Sequence, residues 1–280
     1  RAFPIIIAAL AWILLLSPRI GILNVLFREA FGTNLFNIYS FPGMIFLMVL
    51  YESPIVFLIA LNAFRLMDPS LEEQSIACGN TVLGTLRRVT LPVLRPLILS
   101  SFLLVFVIGL ITLEVPILIG APGGIFVFTS AIFNLIASEY QSLIYYNTAA
   151  ALAMMVIPLS VLSLLLYRHL VRSVESFVTV TGKARPENVH SLGPWRYVAL
   201  MCCSLYFGVV IVLPALVILM LSFSQFVVSP SLSLLTQLTL MHWTATLEDV
   251  VFWRALGNTL ILCLTAATAT VTIALGVGYL

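Results

Sequence analysis

Charged side chains are scarce in this sequence. Asp, Glu, Lys and Arg make up 9% of its 280 residues, whereas hydrophobic residues make up 61%. Soluble globular proteins carry about 25% charged residues. With a mean hydropathy of +1.15, the chain has more apolar surface than water tolerates without aggregation. The composition excludes a soluble enzyme or binding domain and predicts an all-α, polytopic transmembrane helical bundle.

Strong net charge, cysteine motifs and nucleotide-binding loops are lacking too. The formal net charge of +2 is too small to indicate nucleic acid as a partner. The cysteines lack metal-ligand spacing and are interpreted as small packing residues; they are Cys78, Cys202, Cys203 and Cys263. No phosphate-binding loop with a following Lys-Ser or Lys-Thr occurs. The sequence therefore predicts no cofactor, no metal site and no catalytic residue.

Long apolar runs are abundant. A spanning helix needs about 20 mostly apolar residues, because its backbone polar groups find no water in the bilayer. Six runs fit, the first and last shortened by the sequence ends: Ala2–Leu16, Pro42–Phe64, Val93–Ile119, Asn147–Tyr167, Tyr197–Phe223 and Ala255–Leu280. We expect an interfacial helix in Gly21–Gly32, a short or re-entrant helix in Ile125–Tyr146, and a fragment of a longer chain.

Positive residues concentrate in two segments. Nine of the 13 Lys and Arg residues lie in Arg65–Pro96 and Arg168–Arg196. The alternate segments, Gly120–Tyr146 and Gln225–Trp253, contain neither Lys nor Arg. Because positive loops stay on the cytoplasmic side, the first two segments are predicted to be cytoplasmic and the other two to lie outside. The exceptions are Arg19, Arg28 and Arg254.

The segment from Ser70 to Pro92 is polar, although long apolar runs flank it. Ser70 and Glu73 match a capping box, which predicts a helix that begins near Leu71. Gly79 suits a left-handed helix end. The chain should therefore turn sharply at this glycine.

The second part of the segment predicts another short helix, from Thr81 to Val89. Pro92 should end this helix and bend the chain into the next span, because a residue before proline avoids the helical conformation. A long, capped segment of this kind suggests a surface that another protein holds. The alternative is an ordinary loop whose charges keep it in the cytoplasm.

The spacing within this segment resembles the EAA loop of the permeases of binding-protein-dependent ABC transporters. That loop has Glu-Ala-Ala, then Gly after three more residues, then Ile-x-Leu-Pro after nine more. The matching positions here are Glu73-Gln74-Ser75, Gly79 and Val89-Thr90-Leu91-Pro92. Because Gln and Ser replace the two alanines, the first helix is expected to pack less well against its partner than usual.

The resemblance implies a type I ABC importer permease in which loop 68–92 docks a cytoplasmic ABC ATPase dimer. The docking and coupling residues it implies are Glu72, Glu73, Gly79, Leu91 and Pro92. The acidic pair would supply charged contacts or hold the helix start, the glycine would set the turn, and the last two would pass movement into the span. It also implies a periplasmic substrate-binding protein as partner, surrounding membrane lipid, and a multi-pass location in a bacterial inner membrane.

Wider stretches resemble one branch of this family, the fused double permeases of the iron(III) uptake type. They are Ser17–Gly21, Asp68–Glu73 and Glu114–Pro116 leading to Gly120. In that branch one polypeptide joins two homologous halves. The resemblance therefore implies that residues 1–170 end a first half, 171–194 form a cytoplasmic linker, and 195–280 begin a second half.

The expected function is that of a transport subunit, not an enzyme, with ATP hydrolysed on a separate subunit. Iron(III) is the expected solute, and a polyamine, thiamine or sulfate are the alternatives. The competing class is a secondary transporter without an ATPase partner. Such proteins carry broken helices and more intramembrane charge near the midplane.

Two carboxylates are candidates for the translocation path. Glu52 lies near the middle of its predicted span, beside Pro54, and Glu114 lies toward the outer end of another span. A charge in hydrocarbon is costly and usually faces a cavity or a partner. The alternatives are a protonated or hydrogen-bonded Glu52 beside a proline kink, and a solvated interfacial Glu114.

Overall fold

The computed structural model describes residues 4–137, 143–175, 193–224 and 238–279. These residues are helical apart from turns, irregular segments and one isolated bridge between Ser224 and Leu238. The helices are α1 (Ile5–Leu16), α2 (Ile22–Phe31), α3 (Phe41–Leu66), α4 (Pro69–Ala77), α5 (Val82–Thr85), α6 (Leu91–Ile111), α7 (Phe128–Ala137), α8 (Leu143–Glu175), α9 (Trp195–Phe207), α10 (Leu213–Ser222), α11 (Met241–Glu248) and α12 (Val250–Tyr279). Short π-helical segments cover Leu86–Thr90, Pro116–Gly120 and Gly208–Val212.

Five helices of the described ranges have the length and apolar character of membrane spans. They are Phe41–Arg65, Val82–Ile111, Tyr145–His169, Trp195–Ser222 and Val250–Tyr279. A sixth results if Pro116–Gly123 and Phe128–Ala137, which are bent by 85°, count as one broken span. The predicted all-α, multi-span fold is confirmed, and the bent pair agrees with the short or re-entrant helix expected in that region.

The third predicted span, Val93–Ile119, has the wrong limits. The observed helix begins at Val82 and ends at Ile111. Its end is fixed at Thr112, which has an extended backbone with ψ 129° and whose hydroxyl donates to the carbonyl of Ile108 at 2.8 Å. The apolar run continues past this residue, so hydropathy alone did not reveal the break.

Residues 1–214 form one compact unit. Its centre lies around α1, where Ala8, Ala9 and Ala11 are fully buried beside Trp12. Small residues let helix backbones approach closely, and such approach is how helices associate in membranes. The turn Pro116–Gly120 contacts α1 and α3, while α6 packs against α3 and α8.

Residues 215–280 form a second unit. In its long helix α12 no residue is buried. Five threonine hydroxyls of this helix donate to the carbonyl four residues earlier, from Thr259, Thr265, Thr268, Thr270 and Thr272. These bonds satisfy the hydroxyls within the helix, as an apolar environment requires. Most of the predicted linker, residues 176–192, lies outside the described residues.

Candidate functional site

The predicted docking loop begins with a proline-led helix. Asp68 precedes α4, and its carboxylate accepts a hydrogen bond from the backbone N–H of Ser70 at 3.0 Å. Pro69 occupies the first helical position, where its missing N–H costs nothing. The predicted start near Leu71 with a capping box at Ser70 is therefore wrong. The extended Asp68, forced by the proline after it, caps the helix two residues earlier.

Gly79 ends α4 as predicted. Its φ is +88°, and an added Cβ would meet no atom within 4 Å. The N–H of Gly79 donates to Ile76 O at 2.9 Å, and the N–H of Asn80 donates to Ser75 O at 3.2 Å. This pair of bonds is the hydrogen-bonded helix end that a left-handed glycine permits. Any other residue strains the backbone here, although its Cβ would meet open space.

Four polar side chains tie α4 to the helix that follows; we call Glu72, Ser75, Thr85 and Thr90 the polar latch. Ser75 Oγ and Thr85 Oγ1 lie 2.9 Å apart. Thr90 Oγ1 donates to Glu72 Oε1 at 2.6 Å, a separation typical of a hydroxyl bound to a carboxylate. Ser75, Thr85 and Thr90 are buried. The latch thus fixes α4 against the start of the Val82–Ile111 helix.

The chain does not bend at Leu91 and Pro92. Leu91 is helical, with φ −63° and ψ −42°, and one continuous helix runs from Val82 to Ile111. The predicted proline bend is therefore wrong. The π-helical segment before it explains the difference: the N–H of Leu91 donates to Leu86 O, five residues back. This wider turn accommodates the proline ring, which would clash with the carbonyl four residues earlier in a regular α-helix.

The opposite side of the loop is exposed and largely apolar. The docking face comprises Leu71, Glu73, Ile76, Val82 and Leu83, all exposed. The Val82–Ile111 helix has 30 residues, about 45 Å in length, whereas the hydrocarbon core is about 30 Å thick. Its first turns can therefore extend beyond the hydrocarbon together with α4. Exposed apolar side chains in such a place indicate a protein interaction surface.

Glu72 and Glu73 have different environments. Glu72 is half-buried and accepts the hydrogen bond of the latch, whereas Glu73 is exposed on the docking face. Glu73, which also interacts with another group of the protein, is the more exposed of the two. Glu72 instead joins α4 to the Val82–Ile111 helix through Thr90. Because both residues carry the same charge, the sequence did not distinguish their two environments.

Glu52 is buried near the middle of α3. Only 4% of its surface is exposed, and it interacts with another group of the protein. Pro54 follows two residues later inside the same helix. The neighbouring Tyr51 is buried too, and its hydroxyl donates to Val210 O at 2.9 Å. Tyr51 therefore lies where α3 contacts the span that begins at Trp195, and Glu52 is the next residue of α3.

Glu114 is exposed and follows the end of α6. Its Oε2 accepts a hydrogen bond from the backbone N–H of Leu113 at 3.2 Å. It lies at the break between the Val82–Ile111 helix and the turn Pro116–Gly120, not within a span. In residues 4–137, 143–175, 193–224 and 238–279, no three His, Cys, Asp or Glu side chains form a group that could hold a metal. The two carboxylates therefore remain separate candidates.

The four cysteines are exposed, so the interpretation of them as packing residues is wrong for this chain. Three of them lie on the spans Trp195–Ser222 and Val250–Tyr279, of which at most 17% is buried. These helices have few neighbours within the chain. Cys78 lies in the docking loop.

Sequence reasoning missed three residues of the polar latch: Ser75, Thr85 and Thr90. The signal was available in part, because Ser75 replaces an alanine that the loop pattern expects. Two further threonines follow within a segment flanked by apolar runs. The helical spacing between them is π rather than α, and α-helical periodicity does not reveal it.

Comparisons with known proteins place the described geometry in context. The family described as binding-protein-dependent transport system inner membrane component matches residues 1–176. A putative ferric transport system permease protein FbpB 1 of Haemophilus influenzae is 29% identical over 179 residues, 64% of this chain and 27% of that protein. The ferric transport system permease protein FbpB of Actinobacillus pleuropneumoniae is 29% identical over 179 residues, 64% of this chain and 25% of that protein. The match spans about a quarter of each relative, and no solved structure matches.

Proposed function

This chain belongs to the family of binding-protein-dependent transport system inner membrane components, and from that premise we propose that it is the permease subunit of an ATP-driven importer. It is a transport component of the inner membrane and performs no bond chemistry. The observation that carries the proposal is the docking loop: a short helix, closed by Gly79, that is latched to a membrane span and presents an exposed apolar face. The loop lies inside the residues that match the family.

The proposed cytoplasmic partner is a dimer of ABC ATPase subunits. Its surface would cover the docking face, with Glu73 as the charged contact. On the opposite side of the membrane a substrate-binding protein would deliver the solute. Family membership favours this arrangement over a secondary transporter, since the family is defined by its dependence on a binding protein.

The polar latch supplies the route from the ATPase to the membrane. When the ATPase subunits close on ATP, α4 moves with them. Because Glu72 bonds Thr90 and Ser75 bonds Thr85, the Val82–Ile111 helix must follow. Leu91 and Pro92 pass the movement on as part of this continuous helix rather than as a bend. Repeated closure and opening then alternate the access of the translocation path.

The docking role can be tested by purification of the complete protein from its native membrane. We expect the wild-type protein to retain an ATPase subunit in mild detergent. The Gly79→Leu variant should lose most of it, because the strained backbone displaces α4. Glu73→Lys should also weaken retention, since it reverses the charge of the docking face.

Gly32→Leu is the matched control. Gly32 also ends a helix with a left-handed backbone, φ +75°, and an added Cβ would meet no atom within 4 Å. Both substitutions cost about 1 kcal/mol of backbone strain, but only one lies in the docking loop. Equal retention of the ATPase by the two glycine variants would contradict the docking role.

Iron(III) is the proposed solute. The support is the resemblance to the iron(III) branch and the names of the two relatives at 29% identity. A hard cation prefers oxygen ligands, which Glu52 and Glu114 offer. The test is uptake of radiolabelled iron(III) by cells with and without the complete protein. Uptake of a polyamine, thiamine or sulfate instead would replace iron(III) as the solute while leaving the permease role intact.

A further inference from the structure

Pro54 leaves a carbonyl of α3 without its helical donor. Inside an α-helix the carbonyl of Leu50 accepts from the N–H of residue 54, which proline lacks. Here the hydroxyl of Tyr206, from the span that begins at Trp195, donates to Leu50 O at 2.6 Å. Ser53 Oγ lies 2.7 Å from the same tyrosine oxygen. The Ser53 hydroxyl also reaches Leu50 O, at the longer distance of 3.3 Å, so the tyrosine is the nearer of two donors to this carbonyl.

Pro214 removes an N–H from the other helix, just after its π-helical segment Gly208–Val212. In a regular helix the carbonyl of Val210 would accept from residue 214, but proline has no N–H to give. The hydroxyl of Tyr51, from α3, donates to Val210 O at 2.9 Å. The π-helical segment Gly208–Val212 lies at this point, and Val210 is buried. The acceptor is thus shielded, and the donor comes from the opposite helix.

The two hydrogen bonds are reciprocal. Each helix supplies one tyrosine donor and one carbonyl that a proline has freed. All four groups belong to the compact unit of residues 1–214. A freed carbonyl is costly in an apolar environment unless another donor reaches it. The rotation and the register of both helices are therefore specified by where their prolines lie.

We propose that Tyr51 and Tyr206 form a clasp that fixes the span beginning at Trp195 onto α3, at the level of Glu52, through the carbonyls freed by Pro54 and Pro214. The two tyrosines are positioning residues: they act on α3, which carries Glu52, and on the span that begins at Trp195, and not on the solute. The inference does not depend on the proposed solute or on the ATPase. In this arrangement each of the two prolines, which weaken their own helices, provides a carbonyl acceptor for the neighbouring helix.

The test is a double-mutant cycle on the thermal midpoint of the full-length protein in detergent. Tyr206→Phe removes one oxygen atom and should lower the midpoint by about 2–4 °C, which corresponds to about 1 kcal/mol in a protein of this size. In the Pro54→Ala background the same substitution should have a clearly smaller effect, and what remains is the loss of the contact with Ser53. Residue 54 then carries an N–H, so the Leu50 carbonyl no longer needs the tyrosine.

Two controls isolate the clasp. Tyr146→Phe removes a hydroxyl from an exposed tyrosine of α8 and should leave the midpoint unchanged. Pro158→Ala, inside α8, should leave the effect of Tyr206→Phe intact, because it supplies no N–H to Leu50. An equal effect of Tyr206→Phe with Pro54 and with Ala at residue 54 would overturn the proposal, as would no effect in either.

The second half of the clasp gives an independent cycle. Tyr51→Phe should lower the midpoint when residue 214 is proline and have a smaller effect in the Pro214→Ala variant. The crossed combination, Tyr206→Phe with Pro214→Ala, should be additive, because each proline frees a different carbonyl. Each matched pair, Tyr206 with Pro54 or Tyr51 with Pro214, can be measured alone. If one proline variant failed to accumulate, additive effects in the other matched pair would still overturn the proposal.

Discussion

At the scale of the residue, two adjacent acidic residues of the docking loop have different environments, which the sequence did not reveal. Glu72 and Glu73 are adjacent and chemically equal, yet only Glu72 accepts the hydroxyl of Thr90. The loop pattern predicted Gly79 correctly, because a left-handed helix end demands that residue type. It did not predict the polar latch. Thr85 and Thr90 are five residues apart, so in an α-helix they would point about 140° away from each other; the π-helical turn brings both toward α4.

Thr90 provides the prediction at this scale. Thr90→Val keeps the shape of the side chain but leaves Glu72 without its donor, and it should destabilise the protein by about 2 kcal/mol. Thr90→Ser retains the hydroxyl and should cost less than half as much. The measurement is the thermal midpoint of the purified protein. Equal destabilisation by valine and serine would show that the methyl group, not the hydrogen bond, matters.

A functional readout distinguishes coupling from stability. If the latch transmits the movement of the ATPase, Thr90→Val should keep ATPase co-purification while lowering transport per ATP hydrolysed. A variant that loses both in proportion would indicate only misfolding. This comparison requires the complete transporter.

At the scale of the element, prolines were the main source of error. Pro69 is the first residue of α4, where its missing N–H is harmless, although the sequence predicted a start near Leu71. The sequence wrongly predicted that Pro92 ends a helix. The rule for the residue before proline assumes α-helical geometry, and the π-helical turn Leu86–Thr90 removes that assumption. Hydropathy cannot detect such a turn, since it changes no side chain.

The close packing of the turn Pro116–Gly120 gives the prediction for this scale. A Cβ added to Gly120 would lie 2.7 Å from the backbone oxygen of Ile125, so Gly120→Ala should destabilise by about 1–3 kcal/mol. Gly109→Ala is the matched control. Its Cβ would meet only the Cε atom of Met48 at 3.4 Å, and removal of a helical glycine stabilises by up to about 1 kcal/mol. Opposite signs in thermal unfolding are expected, and a loss at both positions would contradict the tight contact.

At the scale of the whole molecule, composition predicted most of the fold. Four predicted spans nearly coincide in their centres with helices of membrane-spanning length, and a fifth, Val93–Ile119, overlaps the Val82–Ile111 helix. The reason is that about 20 apolar residues admit few other structures. The limits were less predictable. They depend on caps, breaks and π-helical turns, each set by a few atoms. The proposed two-half organisation remains a prediction.

Orientation is the prediction for the whole molecule, and Cys78 is a natural reporter of it. Cys78 is exposed in the docking loop, whereas the other three cysteines lie within candidate spans. A membrane-impermeant maleimide should label the protein in inverted vesicles, washed free of peripheral proteins, and not in right-side-out vesicles. Cys78→Ser should abolish the signal. A Glu248→Cys variant in the Cys78→Ser background places the cysteine in a segment predicted to lie outside and should show the reverse pattern. Labelling of Cys78 in right-side-out vesicles would invert the topology.

The π-helical turn Leu86–Thr90 also limits which insertions and deletions this chain can accept. Such a turn holds one residue more than the α-helical turn that would replace it. Deletion of a single residue here would leave a regular helix of nearly unchanged stability. Neither the hydropathy of the span nor the free energy of unfolding would change much. Everything before it would keep nearly the same orientation to the span, because four residues of a regular helix turn by about 400° and return the chain almost to the same face. Glu72 would still face the start of the span, whereas deletion of one residue from the regular part of the same helix would rotate the docking face by about 100° to another side of the protein.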